Sequence, residues 1–358
     1  MSIATPTRLD HVQALRGLAA LLVLLSHLQA VEPRAVAEPI LPASLEWGVM
    51  GVDLFFVISG FIMVFVTRDW GREGSAASRI AEFLFARITR IYPLYWVVTA
   101  ALFAVWLVRP EMVFSSSPNQ PTLLNTLFLI PSQSYPLLEV GWTLVYEMTF
   151  YLVFALLLFL PARWRGWGLG AWAAIVAAGL AAGLGETNAV AFHLFSPMVF
   201  EFLAGAAVGL IYLRWSGSRA LAVQFVAVGA VGLLVWFFVG QPFEDFAPRV
   251  LRLILPCALL VLGAAWLDRA GVAAPRWSVV LGDWSYSLYL THVLSLVLVA
   301  RLWSMAGLDT LPAPIALLVM TGFSLLIAGL TYRLIERPLI RVARRGRGRL
   351  FADQKVTI

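Results

Sequence analysis

The sequence predicts an all-α polytopic membrane protein with about ten transmembrane helices and both termini in the cytoplasm. Of its 358 residues, 61% are hydrophobic and only 13% are charged, and the mean hydropathy is +0.85. Soluble domains are about 45–50% apolar and about 25% charged. This composition, the spacing of the apolar segments and the charges of the loops between them support the prediction.

Ten apolar segments are long enough to cross the hydrocarbon core of a bilayer, which takes about 20 helical residues. They cover approximately residues 12–30, 49–67, 91–108, 142–160, 167–185, 196–214, 220–240, 250–267, 283–302 and 313–336. Because these segments leave no room for a soluble domain, we expect one transmembrane domain over residues 1–340. A basic cytoplasmic tail follows over residues 341–358.

The loops between these segments alternate in charge. Basic residues concentrate in the short cytoplasmic loops of membrane proteins. One set of loops holds Arg8, Arg68, Arg72, Arg79, Arg87, Arg90, Arg163, Arg165, Arg214, Arg219, Arg269, Arg276 and the tail from Arg337 to Lys355. The other set holds only Arg34, Arg109, Arg249 and Arg301 among many acidic residues. The net charge of +6 therefore reports orientation in the cytoplasmic (inner) membrane and does not indicate nucleic-acid binding.

Two connections have a character of their own. The stretch GREGSAAS (residues 71–78) is rich in Gly, Ser and Ala, and the following AEFLFARITR predicts an amphipathic helix that leads into the third span. Residues 109–141 form a long outer segment whose apolar part is too short to span. We expect it to be a re-entrant or capping element.

The composition argues against a metal centre and a disulfide. Cys257 is the only cysteine, and the four histidines have no ligand spacing on one helix. We therefore expect no metal and no bound cofactor.

The first apolar segment, residues 13–29, carries two ionisable residues. The eleven steps from Arg16 to His27 make almost three helical turns, so both side chains leave one face, about 16 Å apart along the axis. Arg16 as a snorkelling membrane-end arginine and His27 as a buried core histidine are the structural alternatives. Ionisable groups in hydrocarbon cost at least a few kcal/mol, which favours a functional role.

Carboxylates fall at the depth of His27. Counting about 1.5 Å per residue places His27 about 22 Å above the cytoplasmic end and Glu147 about 8 Å below the outer surface, nearly the same level. Asp53 and Glu201 come out in the same outer third. A histidine and a carboxylate that share a level can share a proton.

Arginines gather instead at the cytoplasmic third, in a set formed by Arg16, Arg87, Arg90, Arg333 and Arg337. Arginine suits phosphates because its planar fork makes paired charge-assisted hydrogen bonds. Acyl-coenzyme A (acyl-CoA) matches this polarity, since its anionic phosphates lie at one end of a long arm and its thioester at the other. A basic rim common to all polytopic proteins is the alternative.

Two further patterns have a structural and a functional interpretation. Ser285, Tyr289 and His292 share one helical face, and His292 fits either a group beside the acceptor or a core histidine. Gly60, Gly205 and Gly209 favour close helix packing over a functional role.

Seven stretches occur in an order known from one family: LRGLAALLVLLSH, GVDLFFVISGFIM, RITRIYPLYW, WTLVYEMTFYL, FEFLAGAAVGL, LGDWSYSLYLTH and IERPLIR. Together they resemble the acyltransferase-3 family of integral-membrane O-acyltransferases over nearly the whole chain. Family members move an acyl group, most often acetyl, from cytoplasmic acyl-CoA to a hydroxyl of an extracytoplasmic glycan or lipid-linked sugar. The length is most similar to the branch that acetylates exopolysaccharides.

The resemblance implies a role for several residues. His27 matches the essential histidine, Arg16 its partner arginine, Arg87 and Arg90 the arginine pair before the third span, and Glu147 the acid of the tryptophan-to-glutamate motif. Candidates for the acceptor site or for supporting contacts are Asp53, Trp142, Glu201, Tyr289 and His292.

The favoured mechanism has His27 as general base, oriented by Glu147 through its other ring nitrogen, while Arg16 holds the donor. A covalent acyl-histidine remains an open variant. The rival functions are a transporter with a buried proton relay, or an exporter that hands the acyl group to a separate periplasmic transferase.

Overall fold

A computed structural model of the chain describes residues 8–68, 75–110, 113, 120–239 and 245–351. Within these ranges the chain forms thirteen α-helices and no strand, which confirms the predicted all-α class. The helices are α1 Asp10–Val31, α2 Met50–Val66, α3 Ala76–Val108, α4 Leu123–Phe128, α5 Trp142–Leu157, α6 Arg165–Ala181, α7 Ala189–Leu194, α8 Val199–Arg214, α9 Arg219–Val239, α10 Phe246–Arg269, α11 Arg276–Met305, α12 Ala313–Thr331 and α13 Arg337–Phe351. A π-helical turn over Tyr332–Glu336 joins the last two.

Nine helical segments among the described residues are long and apolar enough to cross a membrane. They contain every α-helix of the list above except α4 and α6; α7 and α8 form one segment, and so do α12 and α13. With 17 residues, α6 is shorter than these segments. Whether α6 crosses the membrane can be judged from the directions of the spans before and after it.

The chain divides into two compact units. Unit 1 consists of Met1–Phe65 and Ala204–Tyr332, and unit 2 of Val66–Leu203 and Arg333–Ile358. In unit 1, α1, α11 and α12 bury a shared apolar core that includes Leu24, Leu28, Leu296, Trp303 and Met320. In unit 2, an aromatic stack runs through Phe150, with the ring of Phe202 at 4.4 Å and that of Trp172 at 5.4 Å.

Two pairs of helices in unit 1 run parallel. A Cβ atom on Gly17 of α1 would lie 2.8 Å from the backbone N of Gly282 in α11. Ten residues further along each helix, the rings of His27 and His292 are in contact, so α1 and α11 point the same way. The helices α2 and α8 are also parallel, because Gly205 lies against Val57 and Gly209 against Val64.

The parallel pairs require α6 to cross the membrane. Two parallel spans must be separated by an odd number of crossings, because each crossing reverses the direction of the chain. The helices α3, α5 and α6 lie between α2 and α8. If α3 and α5 alone crossed, the number of crossings would be two, which is even; with α6 it is three, which is odd. The same count holds between α1 and α11. The predicted ten spans are therefore confirmed, and 17 helical residues, about 26 Å long, approach the hydrocarbon thickness.

Helix α3 is continuous from the predicted amphipathic segment into the third span. The basic end of the chain folds back onto it as α13: Arg347 forms a salt bridge with Glu82, and the Phe351 ring lies 6.0 Å from that of Phe85. Up to Phe351, the predicted basic tail is thus a helix packed on α3. The first half of the predicted Gly/Ser/Ala-rich stretch (residues 71–74) and the end of the tail (352–358) lie outside the described residues, and the second half contains the start of α3 at Ala76.

Among its described residues, the segment before α5 contains the short helix α4 and a 3₁₀ turn over Glu139–Gly141 and no helix long enough to span, as its length predicted. Its last carbonyl groups are fixed by α3, since the Tyr95 hydroxyl donates to Thr126, Trp96 Nε1 to Leu127 and the Tyr92 hydroxyl to Phe128, at 2.7–2.8 Å. Residues 111, 112 and 114–119 of this segment lie outside the described part of the chain. The contacts hold the described part of this segment against α3.

We expect Gly205→Leu to prevent close packing of α2 and α8. A Cβ at this position would lie 1.9 Å from the carbonyl oxygen of Val57, which is backbone and has no room to move. The amount of folded protein in detergent should fall severely. Gly322→Ala is the matched control, because no atom lies within 4 Å of its Cβ position, and it should fold like wild type. Normal folding of the Gly205 variant would contradict this packing.

Candidate functional site

His27 lies in α1 of unit 1 with a defined ring orientation. Its Nδ1 is 2.9 Å from the carbonyl oxygen of Val23, one turn earlier, and 3.3 Å from Nε2 of His292. A carbonyl oxygen only accepts, so Nδ1 carries the hydrogen of the neutral ring, and Nε2 carries the lone pair. Nε2 is therefore the atom of His27 suited to take up a proton.

His292 lies in α11 and is 1% exposed. Its Nδ1 lies 2.8 Å from the Tyr289 carbonyl oxygen and 3.1 Å from that of Leu288, and its ring meets that of His27 edge to face at 4.8 Å. Tyr289, one turn before it, has its ring 5.9 Å from those of His292 and Phe55. Of the predicted residues of α11, His292 thus lies against His27, and Tyr289 lies beside His292.

Arg16 is oriented by a chain of hydrogen bonds in unit 1. Its Nη1 donates to Oε1 of Gln13 at 3.3 Å, and Nε2 of Gln13 donates to Oδ1 of Asp283 at 3.0 Å. Neither Gln13 nor Asp283 was singled out from the sequence. Each is a polar residue at the start of an apolar segment. Such residues are too common in membrane proteins to indicate a functional site.

Asp53 forms a buried ion pair with Arg249 of α10. The Arg249 Nε donates to both carboxylate oxygens at 2.9 and 3.0 Å, and Nη2 donates to Oδ2 and to the Val49 carbonyl oxygen. Asp53 is fully buried and Arg249 is 5% exposed. The sequence placed both at the outer end of the chain's spans but did not pair them, because the partners are 196 positions apart. This pair ties α2 to α10.

Glu147 lies in α5 of unit 2 and accepts a hydrogen bond from the hydroxyl of Tyr151, one turn later. The guanidinium of Arg87 lies over the ring of the same tyrosine and over that of Phe83, 5.9 Å from each centroid. The Nε of Arg87 is buried and makes no hydrogen bond to any described residue. Unit 2 thus brings Glu147 and Arg87 together around Tyr151, a residue that sequence reasoning missed.

Arg90 pairs with Glu336, which is buried in the π-helical turn before α13. Its Nη1 donates to the glutamate Oε1. The acid lies within the IERPLIR stretch, but its partner could not be read from the sequence, since 246 positions separate them. One of the proposed phosphate-binding arginines is therefore partly neutralised.

The remaining candidates lie near the first turns of α5 and α8. The Trp142 ring meets that of Tyr146 edge to face at 5.9 Å, and Tyr146 also contacts His193, whose ring centroid is 4.5 Å away. Glu201 is fully buried. Neither Tyr146 nor His193 was predicted, because an aromatic residue and a histidine in apolar stretches are most often core residues.

The candidates therefore form two sets. Unit 1 holds His27, His292, Tyr289, Arg16 and Asp53, and unit 2 holds Glu147, Trp142, Arg87, Arg90 and Glu201. The Nδ1 of His27 is engaged within unit 1 by Val23 and His292. Within its own unit, Glu147 bonds Tyr151.

Comparison of the chain with known families gives a match over most of its length. The sequence model of the acyltransferase-3 family, an acyltransferase domain, matches residues 9–333. The chain belongs to this family. The protein is thus a multi-pass membrane O-acyltransferase, and the resemblance predicted from its motifs is confirmed.

Curated relatives of this acyltransferase cover it almost completely. Exopolysaccharide production protein ExoZ of Rhizobium meliloti (strain 1021) is 35% identical over 84% of this chain and 92% of its own length. Acyltransferase MdmB of Streptomyces mycarofaciens is 27% identical over 95% and 94%. O-acetyltransferase OatA of Staphylococcus aureus (strain COL) is 23% identical over 94% of this chain and 58% of its own length. No solved structure matches the acyltransferase.

Proposed function

We propose that this acyltransferase moves an acetyl group from cytoplasmic acyl-CoA to a hydroxyl of an extracytoplasmic glycan or lipid-linked sugar. The observation that carries the proposal is His27, whose Nδ1 bonds the Val23 carbonyl so that Nε2 is the basic atom of the ring, on the same helix as Arg16. About 16 Å of helix separates the two residues. An extended pantetheine arm has a comparable length, so phosphate and thioester can be held at once.

The donor's phosphates bind the arginines. Arg16 is held by Gln13, and Arg87 has a buried Nε that makes no hydrogen bond to a described residue. A buried N–H without an acceptor costs free energy, and a phosphate oxygen would supply that acceptor. A guanidinium has five N–H donors, and the Nη1 of Arg90 bonds Glu336. The donor is a co-substrate, so the reaction involves no bound cofactor.

Transfer proceeds by general base catalysis. His27 Nε2 takes the proton of the acceptor hydroxyl while its oxygen attacks the thioester carbonyl carbon. The tetrahedral intermediate then collapses, the carbon–sulfur bond breaks, and the departing CoA thiolate takes the proton from His27. In the covalent variant, Nε2 itself attacks the carbonyl carbon and displaces the CoA thiolate. The acceptor oxygen then attacks the acyl-histidine, the carbon–nitrogen bond breaks, and the hydroxyl proton passes through the freed histidine to the thiolate.

Glu147 supports the transfer as a carboxylate whose position is fixed by Tyr151. The residue count along the predicted spans places Glu147 at the level of His27, where a carboxylate would stabilise positive charge on the histidine. We expect Glu147→Gln to lower transfer without changing the yield of folded protein.

The acceptor and the orientation follow from the relatives and the loop charges. ExoZ is named for exopolysaccharide production and OatA for O-acetyl transfer, which supports a surface glycan as acceptor. The basic loops and the arginine-rich α13 belong on the cytoplasmic side of the inner membrane by the positive-inside rule. The acyl group then crosses from a cytoplasmic donor to an outer acceptor.

The direct test is release of free CoA thiol from acetyl-CoA by the purified protein in liposomes. We expect release that depends on an added surface-glycan fraction, with acetyl recovered on the glycan. Intact acetyl-CoA over a range of glycan fractions would contradict the proposal and favour a transporter. Release of CoA thiol without acetyl on the glycan would favour an exporter that needs a separate transferase.

The two arginines of α3 should differ when they are replaced. Arg87→Ala removes a phosphate-binding donor without breaking an ion pair, so the KM for acetyl-CoA should rise about 10- to 100-fold while the protein folds normally. Arg90→Ala takes an ion-pair partner away from the buried Glu336, so the yield of folded protein should fall.

The double variant Arg90→Ala/Glu336→Gln separates binding from folding. It removes both charges and should restore the folded yield. If the KM of this double variant is still raised, Arg90 also binds the donor, as proposed. An unchanged KM in Arg87→Ala would exclude Arg87 from the donor site.

A further inference from the structure

We infer that His292 is a positioning residue that holds His27 in the tautomer needed for catalysis and stabilises it once it is protonated. The inference rests on the proposed function, in which His27 is the base. It assigns to a second histidine, in another helix, the orienting role that the sequence suggested for Glu147. The contact between the two rings lies wholly within unit 1.

The hydrogen positions follow from the acceptors around each ring. The Nδ1 of His292 lies against two carbonyl oxygens, those of Tyr289 and Leu288, so it carries the hydrogen, and Nε2 carries the lone pair. That lone pair lies 3.3 Å from Nδ1 of His27, whose hydrogen it shares with the Val23 carbonyl oxygen. The pattern requires a neutral His292, because a hydrogen on its Nε2 would face the hydrogen on His27.

The backbone makes this arrangement rigid. A Cβ on Gly282 would lie 1.9 Å from the carbonyl oxygen of Gln13, so α1 and α11 approach as closely as two helices can. From the neighbouring contact of Gly17 with Gly282, ten residues along α1 lead to His27 and ten along α11 lead to His292, so parallel helices place the rings at one height. A core histidine would need only its backbone partners, which occupy Nδ1. The second nitrogen of His292 is directed at His27.

The pair has a consequence for the proton transfer. When His27 Nε2 takes the proton of the acceptor hydroxyl, the ring becomes a cation, and its Nδ1–H becomes a charge-assisted donor to His292 and Val23. This bond strengthens as the charge develops, so it lowers the barrier more than it strengthens substrate binding. His292 itself stays neutral and gains or loses no proton. Replacing it should therefore change kcat and leave KM unchanged.

The test uses two substitutions that differ only in the acceptor they offer. His292→Leu removes the acceptor and keeps an apolar side chain in a buried position. His292→Gln can place its Oε1 near the position of the histidine Nε2. Thr291→Val is the control, since Thr291 is a buried neighbour on α11 whose hydroxyl bonds its own helix at Ser287. Each variant is purified in full length and assayed for CoA release, for KM and for acetyl-CoA binding.

We expect His292→Leu to lower kcat about 10- to 100-fold, a part of the 10²- to 10⁴-fold that a general base contributes. The KM for acetyl-CoA should stay within about twofold, and His292→Gln should recover most of the rate. A His292→Leu variant with unchanged kcat would overturn the inference, and so would a Gln variant as slow as Leu in equally folded protein. If His27→Ala retains the rate, the proposed function fails instead, so the two failures are distinct.

Discussion

His27→Ala should abolish acetyl transfer, with a loss in kcat of about 10²- to 10⁴-fold, while acetyl-CoA still binds. The base is lost, but the arginines that hold the phosphates are unaffected, because they lie elsewhere along α1 and in α3. The substitution removes only the ring as a donor to the Val23 carbonyl oxygen. The backbone hydrogen bond of this carbonyl within α1 remains available. The effect should therefore be catalytic and leave folding intact.

The measurement is CoA release together with acetyl-CoA binding by the same detergent-purified protein. Ser26→Ala is a suitable control, because it removes a neighbouring polar group that bonds the Glu46 carbonyl and is not part of the site. Loss of binding together with turnover in His27→Ala would mean that His27 holds the donor. Retained turnover would exclude it as base or nucleophile.

Asp53→Ala should destabilise the protein strongly, by about 3–5 kcal/mol, because it leaves the Arg249 guanidinium buried without its partner. Arg249→Met should cost about as much for the converse reason. Taking a charge out of water is tolerable only when its partner and hydrogen bonds stay in place. Both variants should give little folded protein in a thermal or denaturant unfolding experiment in detergent.

The double variant Asp53→Leu/Arg249→Met distinguishes a structural from a functional carboxylate. It removes both charges and replaces them with apolar side chains, so much of the stability should return. We expect this variant to recover activity along with folding, since the ion pair joins α2 to α10 and accounts for the buried oxygens of Asp53. A folded but inactive double variant would show that Asp53 acts in the acceptor site.

Several features of the site were predictable because they are local. Arg16 and His27 share a face because they lie on one helix, and their separation is a count of residues. The short α4 and the amphipathic start of α3 were likewise predictable from the length and the polarity of their segments. The packing role predicted for Gly205 and Gly209 is confirmed, since a side chain at either position would meet α2.

Other features depended on partners that no local pattern reveals. Arg249 looked like an outer loop arginine, and Glu336 like the end of the tenth span, because each was judged among its neighbours in the chain. Both became interpretable once Asp53 and Arg90 were found within hydrogen-bonding distance. The number of spans also needed the tertiary structure, since the parallel pairs settled whether the short α6 crosses.

The sequence by itself determined the class of protein, the order of its spans and the family. In hydrocarbon the backbone must satisfy its own hydrogen bonds, so a long apolar segment can only become a helix. Only the tertiary structure decided which ionisable groups meet, such as His27 with His292 across 265 positions. Such contacts depend on the direction and the close approach of whole helices, and glycines distant from the site control both.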